Sequence, residues 1–146
     1  MFGSGWWRNT RVPDQYGRVL ANADLVAFLP TTDIERARVF FTETVGLSIT
    51  ESTPFACVFD AHGTALRVTP VDEVRPASYT VLGWVVTDIF ASVRGLTAQG
   101  ARFERFPAME QDELGIWTTP GGDLVAWFQD PDGNVLSLTQ FARQPK

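Results

Sequence analysis

Gln129-Asp130-Pro131-Asp132-Gly133-Asn134-Val135-Leu136 reads as a tight turn feeding an apolar strand, and it occurs twice in outline. The earlier copy is Phe59-Asp60-Ala61-His62-Gly63-Thr64-Ala65-Leu66, 70 residues before it. Each copy keeps an aspartate three residues ahead of a glycine, the chemistry of a hairpin turn with a residue at positive φ. A second pair of segments repeats upstream of these turns: Thr32-Asp33-Ile34 returns as Thr87-Asp88-Ile89, at an offset of 55. Self-similarity in the same order at this scale marks a duplicated supersecondary unit.

Working outward from the turns, each copy reads as β-α-β-β-β. In the first, Leu25 to Leu29 is a short apolar strand ended by Pro30. Asp33 then caps a helix with Ile34, Ala37, Phe40, Phe41 and Val45 at helical spacing, and Gly46 stops it. Leu47 to Glu51, Phe55 to Asp60 and Thr64 to Thr69 follow as strands. The second copy gives a strand over Val81 to Val86 and an Asp88-capped helix bearing Ile89, Val93 and Leu96, closed by Gly100. Its remaining strands are Ala101 to Phe106, Asp123 to Gln129 and Val135 to Gln140. The offset grows from 55 to 70 because residues near 107–121 are inserted, and a loop of that length inside a compact domain is more often functional than idle. The fold class is α+β: two tandem βαβββ modules, about 24–70 and 79–140, in a single domain spanning 23–146. Residues 1–22 form an extension outside the repeat, and its adjacent Trp6 and Trp7 call for a packing partner, either the body of the protein or a second subunit.

Composition narrows the function classes. A chain of 146 residues can bury roughly 70% of the surface its unfolded form exposes. Its net charge of −5 disfavours nucleic acid, which selects a basic face. No apolar run approaches the roughly 20 residues that span a bilayer, so no membrane partner is expected. No apolar leader is visible at the N-terminus, which makes a cytoplasmic location the default. The single cysteine, Cys57, excludes an intrachain disulfide and reads as a buried, inert strand residue.

The Asp33-capped helix ending at Val45-Gly46-Leu47 and the closing Phe128 to Leu136 segment resemble the vicinal oxygen chelate superfamily. That group comprises glyoxalases, extradiol dioxygenases, fosfomycin-modifying transferases, methylmalonyl-CoA epimerases and bleomycin-binding resistance proteins. The resemblance covers about residues 24–140. It implies sheets curled around a cup-shaped cavity for a small molecule, commonly in a homodimer. It also implies four cup-facing positions that hold His, Glu or Gln in metal-dependent members. Two lie seven residues before the capping aspartates and two just beyond the hairpins. Here they are Val26, Arg67, Val81 and Ser137. A one-residue slip gives Leu25, Leu66, Leu82 and Leu136.

Alternation sends Val26 and Phe28 to the cup face with Val81, Gly83 and Val85, and Leu29 and Trp84 to the face under the helices. Arg67 and Ser137 join the cup face, which is therefore apolar apart from hydroxyls and one guanidinium. Arg67 is either a fork for a ligand carboxylate, phosphate or enolate, or half of a salt bridge with Asp112 or Glu113. Asp112 and Glu113 in the inserted loop are candidate general bases if the loop is a lid, and solvated charges if it is not. Trp117 and Trp127 can stack on a flat ligand or serve the core. His62, the only histidine, reads as an exposed turn residue.

The ligand-binding candidates are thus Val26, Phe28, Arg67, Val81, Trp117 and Ser137, and the catalytic candidates Arg67, Asp112 and Glu113. Two functions follow. One is a binding module that holds a small organic molecule in an apolar cup without metal or other cofactor. The alternative is a lyase, isomerase or dioxygenase-type enzyme, cofactor-free through Arg67 and a loop acid, or carrying a divalent metal on displaced ligands. Two valines, an arginine and a serine offer a divalent ion no adequate donor set. Purified protein exposed to Ni²⁺, Zn²⁺, Mn²⁺ and Fe²⁺ is therefore expected to retain no stoichiometric metal by mass spectrometry. One ion per chain would return the protein to the metal-dependent branch.

Overall fold

The computed structural model describes residue 17 and residues 19–142. The packing expected of Trp6 and Trp7 lies outside these residues. The chain divides into two compact units, one built mainly from residues before 74 and the other mainly from those after it. Each carries one four-stranded mixed sheet and, among the described residues, one α-helix.

In the first unit β1 (Val26–Thr31) runs into α1 (Ile34–Val39), then β2 (Ser48–Thr53), β3 (Ala56–Ala61) and β4 (Thr64–Pro70). The sheet order is β1-β4-β3-β2, with β1 parallel to β4 and the other pairs antiparallel. The Asp33 carboxylate accepts from the Arg36 N–H at 3.1 Å and starts α1 as the sequence requires. The helix does not run on unchanged to Gly46, because Phe40–Thr44 relax into a π-helical segment. There the Thr42 hydroxyl donates to the Arg38 carbonyl at 2.8 Å, a side-chain bond that competes with the helix ladder. Gly46, at φ 92°, then reverses the chain so that the Leu47 N–H reaches the Phe41 carbonyl at 2.8 Å. Leu29, Cys57, Phe59, Leu66 and Val68 form one sheet face, buried under Ala37 and Phe41. The Phe41 and Phe59 rings lie 5.5 Å apart in that core.

The second unit repeats the scheme with β5 (Leu82–Val85), α2 (Ile89–Ala98), β6 (Trp117–Thr118), β7 (Leu124–Gln129) and β8 (Val135–Gln140). Its order is β5-β8-β7-β6, the same as the first sheet strand for strand, again with the first and last strands parallel. Asp88 caps α2 through the Ala91 N–H at 3.1 Å. The core places Ile89 and Val93 over Ala126, Phe128, Leu136 and Leu138, all buried. Trp84 stacks on Phe128 at 6.3 Å, under the helix as alternation demands.

One sequence expectation fails here. Ala101 to Phe106 does not form a strand; a single bridge joins Phe103 to Phe128. The reason is a competing partner. The Gln111 side chain accepts from the Phe106 N–H at 2.7 Å and donates to the Glu104 carbonyl at 2.9 Å, taking backbone groups that a neighbouring strand would use. The edge position that β2 fills in the first sheet passes instead to the two-residue β6. Among the described residues, no helix is long and apolar enough to cross a membrane.

The closing turns share a mechanism but differ in depth. In the first, the Asp60 carboxylate accepts from the Gly63 N–H at 2.8 Å, and His62 lies exposed at φ 53°. In the second, the buried Asp130 carboxylate accepts from the Asp132 N–H, the Asn134 N–H and the Asn134 side-chain amide at 3.0, 2.9 and 2.8 Å. Burial pushes the Asp130 carboxyl above the usual aspartate range, while the bonds from Asn134 and Asp132 pull it back. A carboxyl raised in the folded state contributes its full stability below the ordinary aspartate range and loses it as pH rises through the folded value. Asp130→Ala should cost roughly 1–3 kcal/mol by chemical denaturation, with the gap from the parent protein narrowing as pH rises. A cost no larger than that of Asp60→Ala, or one independent of pH, would refute this account.

Candidate functional site

Because each helix covers one face of its sheet, the opposite face is where a ligand can meet side chains. In the first unit that face carries Val26 and Phe28 of β1, Arg67 of β4 and Val58 of β3, with Arg67 flanked in register by Phe28 and Val58. Phe28 is 63% exposed, whereas Val58 is buried, so the arginine sits at a border between open and covered sheet. Arg67 is itself half-buried, and its guanidinium engages no carboxylate among the described residues.

In the second unit the corresponding face carries Gly83, Ser137 and Trp127 in one cross-strand row, and Val85, Thr139, Val125 and Trp117 in the next. Val81 stands just ahead of β5 and is bonded through its N–H to the Val135 carbonyl at 2.9 Å. Ser137 leans over Gly83: a Cβ built there would lie 2.6 Å from the serine Oγ, so a larger residue would oblige that hydroxyl to turn aside. Trp117 packs against Trp127 with ring centres 6.1 Å apart.

The same unit carries an open-mouthed cavity of about 620 Å³. Its floor is Trp127, Gln129 and Val135 from the sheet. One wall is the connecting segment Pro76 to Thr80, and the other is Glu104, Phe106 and Met109 from the irregular stretch after α2. None of the six ligand-binding candidates named from sequence lines this cavity; those of the second unit, Val81, Trp117 and Ser137, flank or support its floor. Phe106 meets Trp127 edge to face at 5.4 Å and 89°. The Trp127 Nε1–H donates to the Thr80 hydroxyl at 3.0 Å, which fixes the indole and ties the connecting segment to the sheet. Gly133, at φ 86°, passes against Pro76: an added Cβ would lie 3.0 Å from the proline ring. The closing turn and the connecting wall are therefore fitted to each other.

The inserted loop forms a latched wall. The Asp112 Oδ1 accepts from the Leu114 and Ile116 N–H groups at 2.9 and 2.8 Å. Arg105 donates to the carbonyl oxygens of Asp112 and Glu113, and Gln111 ties Glu104 to Gly115. Asp112 thus commits an oxygen to its own loop, and the Glu113 side chain is exposed. The cavity residues Glu104 and Phe106 were missed because the segment was read as a strand without carrying the alternation through it. Phe103 faces the core against Phe128 at 5.2 Å, so Glu104 and Phe106 take the other side or its continuation.

The sequence model of the Glyoxalase/Bleomycin resistance protein/Dioxygenase superfamily matches residues 22–138. The chain belongs to that superfamily. Solved structures agree on the fold. A superfamily member from Sphaerobacter thermophilus DSM 20745 is 24% identical at a TM-score of 0.63, over 81% of this chain and 96% of that one. A glyoxalase-related enzyme from Fulvimarina pelagi is 22% identical at 0.65, over 82% and 88%. Lactoylglutathione lyase from Agrobacterium tumefaciens is 16% identical at 0.62, over 81% and 92%. No curated protein matches the chain. At these identities the likeness is one of fold, and chemistry must be argued from the residues present.

Those residues do not fit a divalent cation: Val26, Arg67, Val81 and Ser137 stand at the ligand positions the resemblance assigns. Among the described residues, no three His, Cys, Asp or Glu side chains come together in a geometry that could hold a metal. If the Asp112 latch sets the cavity wall, Asp112→Ala should open the loop to protease cleavage between Phe106 and Gly115, at a stability cost of roughly 1–3 kcal/mol. Unchanged protease resistance would show that Arg105 and Gln111 suffice.

Proposed function

We propose that this chain is a binding member of its superfamily, which holds a small organic molecule without a metal. The observation that carries this reading is the cavity of about 620 Å³ on the helix-free face of the second unit, walled by Trp127, Phe106, Met109, Tyr79 and Val135. That volume lies within the range of small-molecule sites, and its lining has their usual make-up of apolar and aromatic groups with a few polar ones. A ligand covering the apolar part of this lining would gain on the order of 2–3 kcal/mol before the cost of immobilising it. The edge-to-face pair and the tethered indole hold the aromatic surface in place beforehand, which lowers that cost. On this reading the protein acts in the cytoplasm as a homodimer, by capture of its ligand and not by turnover.

A second reading rests on Arg67. A half-buried guanidinium without a carboxylate partner, beside an exposed phenyl ring, suits an anionic group on an aromatic body. In a cofactor-free enzyme the same group would stabilise an oxyanion or enolate. The two readings separate by mutation. Screening flat aromatic and heteroaromatic compounds by thermal shift and tryptophan fluorescence should give hits whose affinity falls about tenfold or more in Trp127→Ala and Phe106→Ala. Hits that survive both substitutions but vanish in Arg67→Ala would move the site to the first unit and favour the second reading. The absence of any saturable hit would defeat the binding proposal.

A further inference from the structure

Resting on the cavity reading above, we infer that the ligand is an organic ammonium: a flat apolar body carrying one positive charge, held by Glu104 and the faces of Trp127 and Phe106. The cavity contains a single ionisable carboxylate, that of Glu104, and no cationic side chain. Glu104 is half-buried, its backbone N–H is bonded to the Trp127 carbonyl at 2.7 Å and its carbonyl to Gln111, and its carboxylate has no partner among the described residues. The neighbouring arginines do not neutralise it. Arg105 is turned away to the carbonyl oxygens of Asp112 and Glu113. Arg102 lines an adjoining cavity of about 330 Å³, which Glu104 also borders, without forming an ion pair with it.

The aromatic groups reinforce the same sign of charge. The Trp127 N–H is already donated to Thr80, so the indole offers a ligand its π face, the negative part of its charge distribution. Phe106 stands at 89° to that ring and Tyr79 borders the same space, so two further aromatic rings border a group seated over the indole. A cation over such faces gains from the ring quadrupoles, and it gains more where a carboxylate is within the same partly desolvated space. An anion would meet the Glu104 carboxylate as a like charge. The net charge of −5 adds a long-range attraction for cations.

The test uses three probes with one aromatic body: 2-naphthylmethylammonium, 2-naphthylmethanol and 2-naphthoate, titrated into the full chain by calorimetry at neutral pH. The ammonium should bind about tenfold or more tightly than the alcohol, and the carboxylate least. Glu104→Gln, whose backbone bonds are independent of the side chain, should abolish the preference for the ammonium over the alcohol. Trp127→Ala should weaken both. Equal binding of ammonium and alcohol, or an ammonium preference that survives Glu104→Gln, overturns the inference while leaving the cavity reading intact. Preference for the naphthoate overturns it in favour of an anion site, and failure of all three probes to bind overturns it together with the cavity reading.

Discussion

Everything functional in this protein depends on a sheet that is covered by a helix on one side only. Period-two alternation divides each strand between a buried face and a second face with no helix of its own unit to cover it. In the first unit Leu29, Phe59, Leu66 and Val68 are committed to the core beneath α1, so Phe28 and Arg67 must point the other way. In the second, Phe128 and Leu136 occupy the core beneath α2, which obliges Trp127 and Val135 to form the floor of a cavity. The parallel pairing of first and last strands, β1 with β4 and β5 with β8, makes the constraint rigid, because the capped helix between them must cross over the same face each time.

The two units show what happens when one supersecondary plan is elaborated in one copy and left plain in the other. The first keeps a full β2, a shallow aspartate turn and an open face. The second gives up the equivalent of β2 to a loop anchored by Gln111, Asp112 and Arg105, and gains a cavity wall in exchange. Its closing turn is also more deeply built, with Asp130 buried beneath three donors and Gly133 fitted against Pro76. Loop, turn and connecting segment meet around Trp127. The asymmetry between the units is therefore concentrated at one place, which is the expected signature of a site grafted onto a shared scaffold.

Chemistry within that place is set by which charges are already engaged. Arg105 is occupied with backbone carbonyls, Asp112 with backbone N–H groups, and Asp130 with its own turn. Glu104 and Arg67 are left with side chains that no described carboxylate, guanidinium or amide occupies. Among the described residues, no three His, Cys, Asp or Glu side chains come together as a metal donor set would require.

How much of this was legible in advance follows from the range of the forces involved. The sequence alone determined the duplication, both aspartate caps, the hairpin turns at Asp60 and Asp130, the helix stops at Gly46 and Gly100 and the α+β class, because each rests on local backbone chemistry over a few residues. Only the tertiary structure decided that residues 101–106 leave the sheet. That outcome turned on the Gln111 side chain reaching back to Glu104 and Phe106, a competition that periodicity does not register. The cavity was beyond local reading for the same reason. Its walls come from Pro76–Thr80, Glu104–Met109 and Gln129–Val135, segments far apart in sequence that meet only when the sheet closes and Trp127 is tied to Thr80.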